Sequence, residues 1–410
     1  MLSKINIYTV ITLLSIILLV LCIQPYSNME GLEQQSADYA TPFDEDADEL
    51  AMKQTATKTK PPQTGDSLSQ AETTPENLND PANLPLREFM IMSSYDSVFD
   101  GKTPNINTLA DVMHAGARFI DLNVFMGAKE KRLFVGPTKN IDATSADLTL
   151  KLSEVLSYIN EYAFTVDNKA KARAETPLNE RNIPGINKVS KGAPTLGNNY
   201  TEYPLFLNIR IQQTSPETDI IGTIYNDYLA GDKGLISTKF RLLGDGDNGE
   251  NATQINGNTK LRDLKGRIVI TMDIDNILKN YAPTSMNALD VKPSVKDSIR
   301  KFVNIKTGGH TWHTYHSYNT IESLSKTVIS PKGGDLTTDV KKMYVAYPGI
   351  KDTSANPNAI SYLSEHGIQT TLMRFYMRDK HLDDYKTLFR DFKSPMVPIN
   401  NVLRKVSANK

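Results

Sequence analysis

The sequence is poor in the residues that build several common kinds of functional site. Cys22 is the only cysteine among 410 residues, so an intrachain disulfide bond and a metal site made of cysteines are both excluded. There are one tryptophan and six histidines. No phosphate-binding loop, dinucleotide fingerprint, Ser-His-Asp pattern or internal repeat is present. The function must therefore be sought in other residue types.

Long apolar runs are also scarce, and the one that could cross a membrane lies at the N-terminus. Residues 5–23 are long enough to span a bilayer as a helix, with Lys4 before them and acidic residues after them. We predict a single-pass anchor over residues 1–23, with the N-terminus inside and the body across the membrane. A cleaved signal peptide is the alternative, but the large Leu21 and Ile23 stand where small residues are needed.

The formal net charge of −1 hides an uneven distribution. Residues 24–86 contain 12 acidic residues and three lysines, a net charge of −9. Because Lys4 adds one positive charge, the body of the protein, residues 87–410, carries about +7. Few large apolar residues occur in residues 24–85, and such a segment cannot bury enough surface to fold. We predict a disordered acidic linker there, and docking of residues 33–50 onto the body or a partner stays open. The basic body would suit an anionic lipid or a phosphate ligand.

Residues 86–405 alternate between strand-like and helical patterns, with one inserted surface loop predicted at residues 168–200. Such alternation predicts an α/β fold, a closed parallel (β/α) barrel of the TIM type. Strands are predicted at residues 87–92, 117–125, 132–135, 205–211, 311–317, 342–347 and 369–375, and residues 264–270 are predicted to be a turn that leads into another strand. Helices are predicted at residues 107–115, 145–162, 216–229 and 359–366. Asn107 and Ser145 are the expected caps of the first two helices, and Gly116 is expected to end the first.

Polar side chains collect near the ends of the first two predicted strands. The first strand runs into the segment SSYDS at residues 93–97, and Asp121 and Asn123 alternate onto one face of the second. Parallel strands of a barrel deliver their C-terminal residues to one rim. We therefore expect the functional site at that rim.

These segments resemble the X box of the phosphoinositide-specific phospholipases C, where the strands carry Ser-Ser-His-Asn-Thr and Glu-Leu-Asp. The resemblance covers most of residues 86–405, in both the X and Y boxes. It implies a TIM-type barrel that, in the family, cleaves phosphoinositides with two histidines and a calcium ion held by Asn, Glu, Asp and Glu. Other matching segments are EYAF (161–164), YPLFL (203–207), LKGRI (264–268), YPG (347–349) and GIQT (367–370).

The positions carried over from this resemblance depart from the family pattern. The histidine positions fall on Tyr95, a poor base at neutral pH, and near Val135, which transfers no proton. The phosphate-binding lysines fall on Thr271 and Asp273. We hypothesise that Arg210 pairs with the carboxylates and replaces the metal; the alternative is that its side chain points into the helical layer. The positions of the calcium ligands are Asp96, Asp121, Asn123 and Arg210.

The second half of the predicted barrel offers weaker candidates. If a site remains there, the resemblance implies substrate contacts from Ser317 and Lys351. Zinc binding by His310, His313 and His316 is a second hypothesis for that segment. Their spacing suits one helix face only in part, so we favour an aromatic-rich strand and loop.

The N-terminal apolar run and the resemblance, with its departures at the site, imply a membrane-anchored, phospholipase C-like barrel that has lost catalysis, needs no cofactor and acts as a scaffold or binding module. A place in a large DNA virus particle, between an internal membrane and structural or capsid proteins, rests on analogy alone. One alternative is an active phosphoric diester hydrolase that uses calcium at a modified metal site. Another is a lipid head-group binder that does not cleave; no nucleic-acid partner is indicated.

Overall fold

The computed structural model shows a mixed α/β fold. It describes residues 80–127, 132–137, 150–175, 197–212, 220–229, 234–243, 251–273, 299, 301–307, 312–324, 326, 329–331, 338, 340–349 and 354–408. The predicted anchor over residues 1–23 and nearly all of the predicted linker lie outside these ranges. Among the helices that they contain, none has the length and apolar character needed to span a membrane.

Strands and helices follow one another irregularly along the chain. The strands are β1 (Phe89–Ile91), β2 (Ser93–Ser94), β3 (Phe119–Met126), β4 (Leu133–Val135), β5 (Leu150–Lys151), β6 (Leu205–Gln212), β7 (Ile268–Asp273), β8 (Ile305–Thr307), β9 (His313–Ser317), β10 (Met343–Tyr347), β11 (Thr370–Thr371) and β12 (Met396–Pro398). The helices are α1 (Ile106–His114), α2 (Leu152–Tyr162), α3 (Asn168–Glu175), α4 (Ile220–Thr223), α5 (Leu261–Leu264), α6 (Tyr318–Ser323), α7 (Ala359–His366), α8 (Lys380–Phe392) and α9 (Ile399–Ala408).

Most strands belong to two arcs of parallel ladders. One arc runs β2, β3, β6, β7, β8, and the other runs β9, β10, β11. A parallel bridge from Ser94 to Met373, just beyond β11, joins the two arcs. Within the described residues, no ladder joins β8 to β9. The C-terminal ends of the parallel strands therefore lie on one side, as the site prediction requires.

The central strands β3 and β6 are buried on both faces. On the face that packs against the helices, Ile120 and Leu207 belong to the larger apolar cluster of the core. On the opposite face, Phe119 and Phe206 stack with 6.0 Å between their ring centroids. Because successive strand residues alternate between faces, the polar residues that follow at two-residue intervals share the face of these phenylalanines. They are Asp121 and Asn123 on β3, and Asn208 and Arg210 on β6.

The connection between β2 and β3 is a capped helix. Asn105 caps α1 by accepting a hydrogen bond from the backbone N–H of Asn107, and Gly116 follows the helix with φ of 107°. The prediction that Asn107 is the cap was wrong by two residues, because the Asn105 side chain reaches forward to that N–H. The prediction of glycine at the helix end is confirmed.

The strand predicted at residues 132–135 is present, but it does not join the parallel set. This strand, β4, runs antiparallel to β3, and β5 runs antiparallel to β4. Only about six residues connect β3 to β4, whereas a parallel pair needs a crossover of about a dozen. The expectation of a wholly parallel sheet was therefore wrong at this edge.

Two predicted helices have different bounds in the structure. The helix predicted at residues 145–162 begins at Leu152, because Leu150 and Lys151 pair with β4; its expected cap, Ser145, lies outside the described residues. The helix predicted at residues 216–229 is described from Ile220 and continues as a π-helix over Ile224–Leu229.

Two predicted boundaries also differ. The predicted surface loop at residues 168–200 begins with α3 and ends in a 3₁₀ helix (Gly197–Glu202), and Ala170 and Tyr200 are buried. The last residues of the predicted linker form another 3₁₀ helix (Pro81–Asn83), and Leu84 is buried in the core. Both segments therefore have side chains buried in the domain, which composition alone did not show.

Candidate functional site

One guanidinium bridges two carboxylates at the rim. Arg210 donates from Nε to Asp121 Oδ1 at 2.9 Å and from Nη2 to Asp121 Oδ2 at 2.8 Å. Its Nη2 also donates to Asp96 Oδ1 at 2.5 Å. The carboxylate side chains are 5% and 0% exposed and the arginine is 23% exposed. Arg210 therefore lies on the face of the carboxylates, and the alternative that it points into the helical layer is excluded.

Asp121 is engaged by more than the arginine. Its Oδ1 accepts from Asn208 Nδ2 at 2.7 Å, and its Oδ2 accepts from the backbone N–H of Asp96 at 3.1 Å. The Asn208 amide oxygen in turn accepts from Thr271 Oγ1 and from the Tyr315 hydroxyl, each at 2.8 Å. A chain of directed hydrogen bonds thus extends from β3 through β6 to β7 and β9. Such a network holds the Asp121 carboxylate in one orientation.

The turn after β2 aims Asp96 at this group. Asp96 has φ of 41°, a left-handed conformation that aspartate tolerates better than most residues. Ser97 closes the turn: its Oγ donates to the Ser94 carbonyl at 3.1 Å and accepts from the Asp121 N–H at 3.0 Å. The backbone N–H of Ser97 donates to the Asp121 carbonyl at 2.9 Å. The turn that carries Asp96 is therefore hydrogen-bonded to β3, the strand that carries Asp121.

The electrostatics of the group favour a charged arginine and a readily protonated aspartate. Burial raises the pKa of Asp96 to about 7; Arg210 opposes this shift and the Asp121 charge adds to it. Burial alone would lower the pKa of Arg210, but the Asp121 charge, with Tyr95 and Asp96, raises it well above its ordinary value. The Asp96 carboxyl is therefore the group at this rim whose pKa is moved to near neutrality.

Tyr95 supports the arginine instead of offering a base. The guanidinium carbon of Arg210 lies 4.6 Å from the centroid of the Tyr95 ring, a cation–π contact. Burial raises the pKa of the Tyr95 phenol further above its ordinary value. A phenol in this position gives up its proton less readily than one in water.

The remaining predicted site residues form no hydrogen bond with this group in the part of the chain that the structure describes, although Asn123 is the neighbour of Arg210 across the two strands. Asn123 turns its amide N–H toward the Gly136 carbonyl at 2.7 Å, and its buried Oδ1 has no hydrogen-bond partner among the described residues. Val135 is packed in the apolar core. Ser317 caps α6 through the Thr320 N–H at 3.2 Å. Lys351 and the side chain of Asp273 lie outside what the structure describes.

The histidine-rich segment is an aromatic strand where it is described. His313 is buried with its ring 5.4 Å from that of Tyr315 and 6.4 Å from that of Phe119, and burial lowers its pKa to about 3. His310 lies outside the described residues, so the zinc hypothesis for the complete triplet stays a prediction. Within the described ranges, no group of three metal-ligating side chains is found.

Sequence reasoning missed three residues that complete the rim. Asn208 lies two positions before Arg210 on the same strand, so strand alternation could have placed it beside Asp121. Tyr315 reaches Asn208 from β9. Burial, with the Asp96 charge, raises the pKa of the half-buried Tyr376 to about 12. Only tertiary contacts bring Tyr315 and Tyr376 to the site.

The donor set does not suit a calcium ion. Calcium takes about six to eight oxygen ligands, whereas both Asp121 oxygens and one Asp96 oxygen accept hydrogen bonds from Arg210. The fixed positive charge of Arg210 would repel a divalent cation at this position. Asn123 could offer only its one buried amide oxygen, because its N–H group is bonded to the Gly136 carbonyl. The residues present are therefore those of an ion pair and not of a divalent-cation site.

Comparisons with known proteins return structures of phospholipases C. Neither a family model nor a curated protein sequence matches the chain. PLC21 of S. officinalis is 15% identical, with 79% of this chain and 38% of that chain covered and a TM-score of 0.48. PLC21 of L. pealei is 14% identical, with 79% and 39% covered and a TM-score of 0.45.

A bacterial structure is similar over most of its own length. The calcium-dependent phosphoinositol-specific phospholipase C from Pseudomonas sp is 10% identical, with 72% of this chain and 92% of that chain covered and a TM-score of 0.39. By contrast, this chain spans about two fifths of the length of the PLC21 structures. All three structures are of phospholipases C, the family that the sequence resembles.

Proposed function

We propose that the domain is a TIM-type (β/α) barrel of the phospholipase C kind in which Arg210 takes the place of the calcium ion, and that it acts as a non-catalytic scaffold or binding module. One observation carries the proposal: a single guanidinium is bonded to both carboxylates, Asp96 and Asp121, at the rim. The order of the parallel ladders, joined by the bridge from Ser94 to Met373, supports the barrel.

The charge balance supports replacement of a metal by an internal cation. Carboxylates arranged to hold an ion repel one another when the ion is absent. The Arg210 guanidinium supplies one positive charge, and the Asp96 carboxyl, whose pKa is about 7, takes up a proton near neutrality. The group therefore approaches neutrality without a divalent cation.

The proton-transfer positions also support a non-catalytic role. Tyr95 is a buried phenol packed under Arg210, and Val135 is a hydrocarbon within the core. General acid–base catalysis needs a group whose pKa lies near the working pH and that reaches the substrate. Asp96 has such a pKa, but its carboxylate is engaged by Arg210. An active phosphodiesterase with calcium at this site is therefore the less favoured function.

The cellular setting in this proposal comes from the sequence. Residues 1–23 would anchor the domain in a membrane as a single-pass segment, and residues 24–85 would form an acidic linker. The partners would be the membrane itself and structural proteins, with an internal membrane of a virus particle as one setting. Imaging a tagged full chain together with a membrane marker would test the anchoring.

The test of metal replacement compares the natural chain with an Arg210→Glu variant, which puts an acidic ligand where the family has one. We expect calcium to leave the melting temperature of the natural chain unchanged. The variant should lose stability without calcium, because three carboxylates then repel one another, and should regain it when calcium is added.

Catalysis is tested separately with labelled phosphatidylinositol in vesicles, using the full chain with and without calcium. We expect no calcium-dependent release of labelled inositol phosphate. Calcium-dependent turnover that disappears in an Asp121→Ala variant would overturn the proposal and support the active phosphodiesterase.

A further inference from the structure

A second polar cluster lies at the opposite end of the strands. It comes from residues that lie just before three strands: Arg87 before β1, Trp312 before β9 and Lys341 before β10. The Arg210 group, which is Arg210 with Asp96 and Asp121, lies toward the C-terminal ends of the strands instead. An open cavity of about 350 Å³ is found there, a size that suits a small ligand. Its lining residues are Arg87, Asn256, Gly257, Asn258, Trp312 and Lys341.

Arg87 carries a charge that no carboxylate neutralises in the described part of the chain. Its Nε donates to the Val340 carbonyl at 2.8 Å, and its Nη1 donates to the Gly257 carbonyl at 2.9 Å and to the Asn258 amide oxygen. All three acceptors are neutral. The guanidinium is therefore held in place while its charge, and the N–H groups of Nη2, stay available for an anion.

The other polar side chains of the cavity also present donors. The Asn256 amide oxygen accepts from the Asn258 N–H at 2.8 Å, and the Asn258 amide oxygen accepts from Arg87. Each amide keeps its NH₂ group. Lys341 is exposed and forms no ion pair within the described ranges. A ligand with several acceptor oxygens and a negative charge matches this set.

Trp312 supplies a flat apolar wall. A Cβ added to Gly257 would lie 3.3 Å from Trp312 Cε3, so the backbone approaches the indole closely and a larger residue would push the ring away. Trp312 is half-buried, so part of its surface faces the cavity. Aromatic side chains of this kind hold the carbon skeleton of a ligand while polar groups fix its charged end.

We infer that this cavity binds a phosphate monoester group, carried either by a free phosphorylated compound or by a phospholipid head group. A phosphate offers more acceptor oxygens than a carboxylate and so matches a cavity whose free polar groups are donors. The site is separate from the Arg210 group and does not depend on the proposed loss of catalysis.

Trp312 makes the test direct, because it is the only tryptophan in the chain and its fluorescence reports on this cavity alone. The full chain is titrated with inorganic phosphate, and with sodium chloride at matched ionic strength. We expect a saturable change in emission with phosphate and none with chloride. Lys341→Gln should weaken the apparent affinity about tenfold, the loss of one charge-assisted hydrogen bond.

Lys342→Gln is the matched control, since Lys342 is an exposed neighbour that does not line the cavity. It should bind phosphate as the natural chain does.

Vesicles of phosphatidylcholine with and without phosphatidic acid then distinguish the two sources of the phosphate group, a phospholipid head group and a free phosphorylated compound. A response to phosphatidic acid vesicles alone identifies the lipid, and a response to inorganic phosphate alone identifies a free compound. No saturable response to either, or equal losses in the two lysine variants, overturns the inference.

Discussion

The two ends of the parallel strands hold their arginines in opposite ways. At the C-terminal end, Arg210 is bonded to two buried carboxylates and lies against Tyr95. At the other end, Arg87 is bonded to two carbonyls and an amide oxygen, all of them neutral. A guanidinium whose charge is neutralised by carboxylates inside the fold contributes to the structure. A guanidinium that neutral acceptors hold in place keeps its charge and can bind an external anion.

This contrast distinguishes the rim at which the sequence predicted a site from the cavity at the opposite end. The C-terminal rim is where a barrel normally places its chemistry, yet here its carboxylate oxygens already have internal partners. The N-terminal end normally contributes to stability, yet it presents the cavity lined by donors. Stability measurements on both ends test whether the difference is real.

The largest effect is expected from Arg210→Met. It leaves Asp96 and Asp121 buried side by side without a cation, and breaking such a group costs about 3–5 kcal/mol. Urea unfolding near pH 8 measures the loss. The deficit should shrink in acid, because protonated carboxyls no longer repel. A loss below about 1 kcal/mol would show that Arg210 is not needed for charge balance.

Asp121→Asn should be the next most damaging change. The new NH₂ group would face N–H donors from Arg210 and Asn208 in place of an acceptor oxygen. We expect the free energy of unfolding to fall by about 2–4 kcal/mol, as for a buried charged hydrogen bond that is left unmade. Equilibrium unfolding in urea checks this, with far-ultraviolet circular dichroism to verify that the variant folds. Stability equal to the natural chain would contradict the role of the network.

Arg87→Met, at the opposite end, should cost less. It removes hydrogen bonds to the carbonyls of Val340 and Gly257 but leaves no buried charge behind. The expected loss is about 1–2 kcal/mol, typical for hydrogen bonds to neutral partners. The same urea series measures it. A loss as large as that of Arg210→Met would remove the distinction between the two ends.

Asp96→Asn should have the smallest effect at neutral pH and a distinct pH dependence. The pKa of Asp96 in the folded protein is about 7, above its ordinary value of 3.8, so the folded state binds this proton more tightly than the unfolded state. The stability that this proton contributes is fully present below about pH 4 and is lost as the pH rises through about 7. The asparagine variant should lack this decline, so its stability relative to the natural chain should improve between about pH 4 and pH 7.

Unfolding midpoints of the two proteins, measured across that pH range, provide the check. Parallel curves would mean that Asp96 does not take up the proton. In that case Asp96 would be ionised at neutral pH, and the charge balance proposed for the rim would need a different source.

Several parts of the fold followed from local patterns. The helix predicted at residues 359–366 has the same bounds in the structure, because Asn358 caps it and Gly367 ends it with φ of 70°. The strand predicted at 205–211 is β6, and strand alternation placed Arg210 on the face of the Asp121 carboxylate. The direction of β4 could not be predicted in this way, because apolar alternation is the same in parallel and antiparallel strands.

The sequence by itself determined which residues share a strand face and where helices begin and end, since these depend on neighbours within a few positions. Tertiary structure alone decided which distant residues meet. Tyr315 reaches Asn208 across 107 positions, and Arg87 reaches Gly257 across 170. Such contacts depend on how the strands are ordered and aligned around the arc, and no local pattern specifies that order. The candidate rim could therefore be found in the sequence, whereas the cavity at the opposite end became visible only in the folded chain.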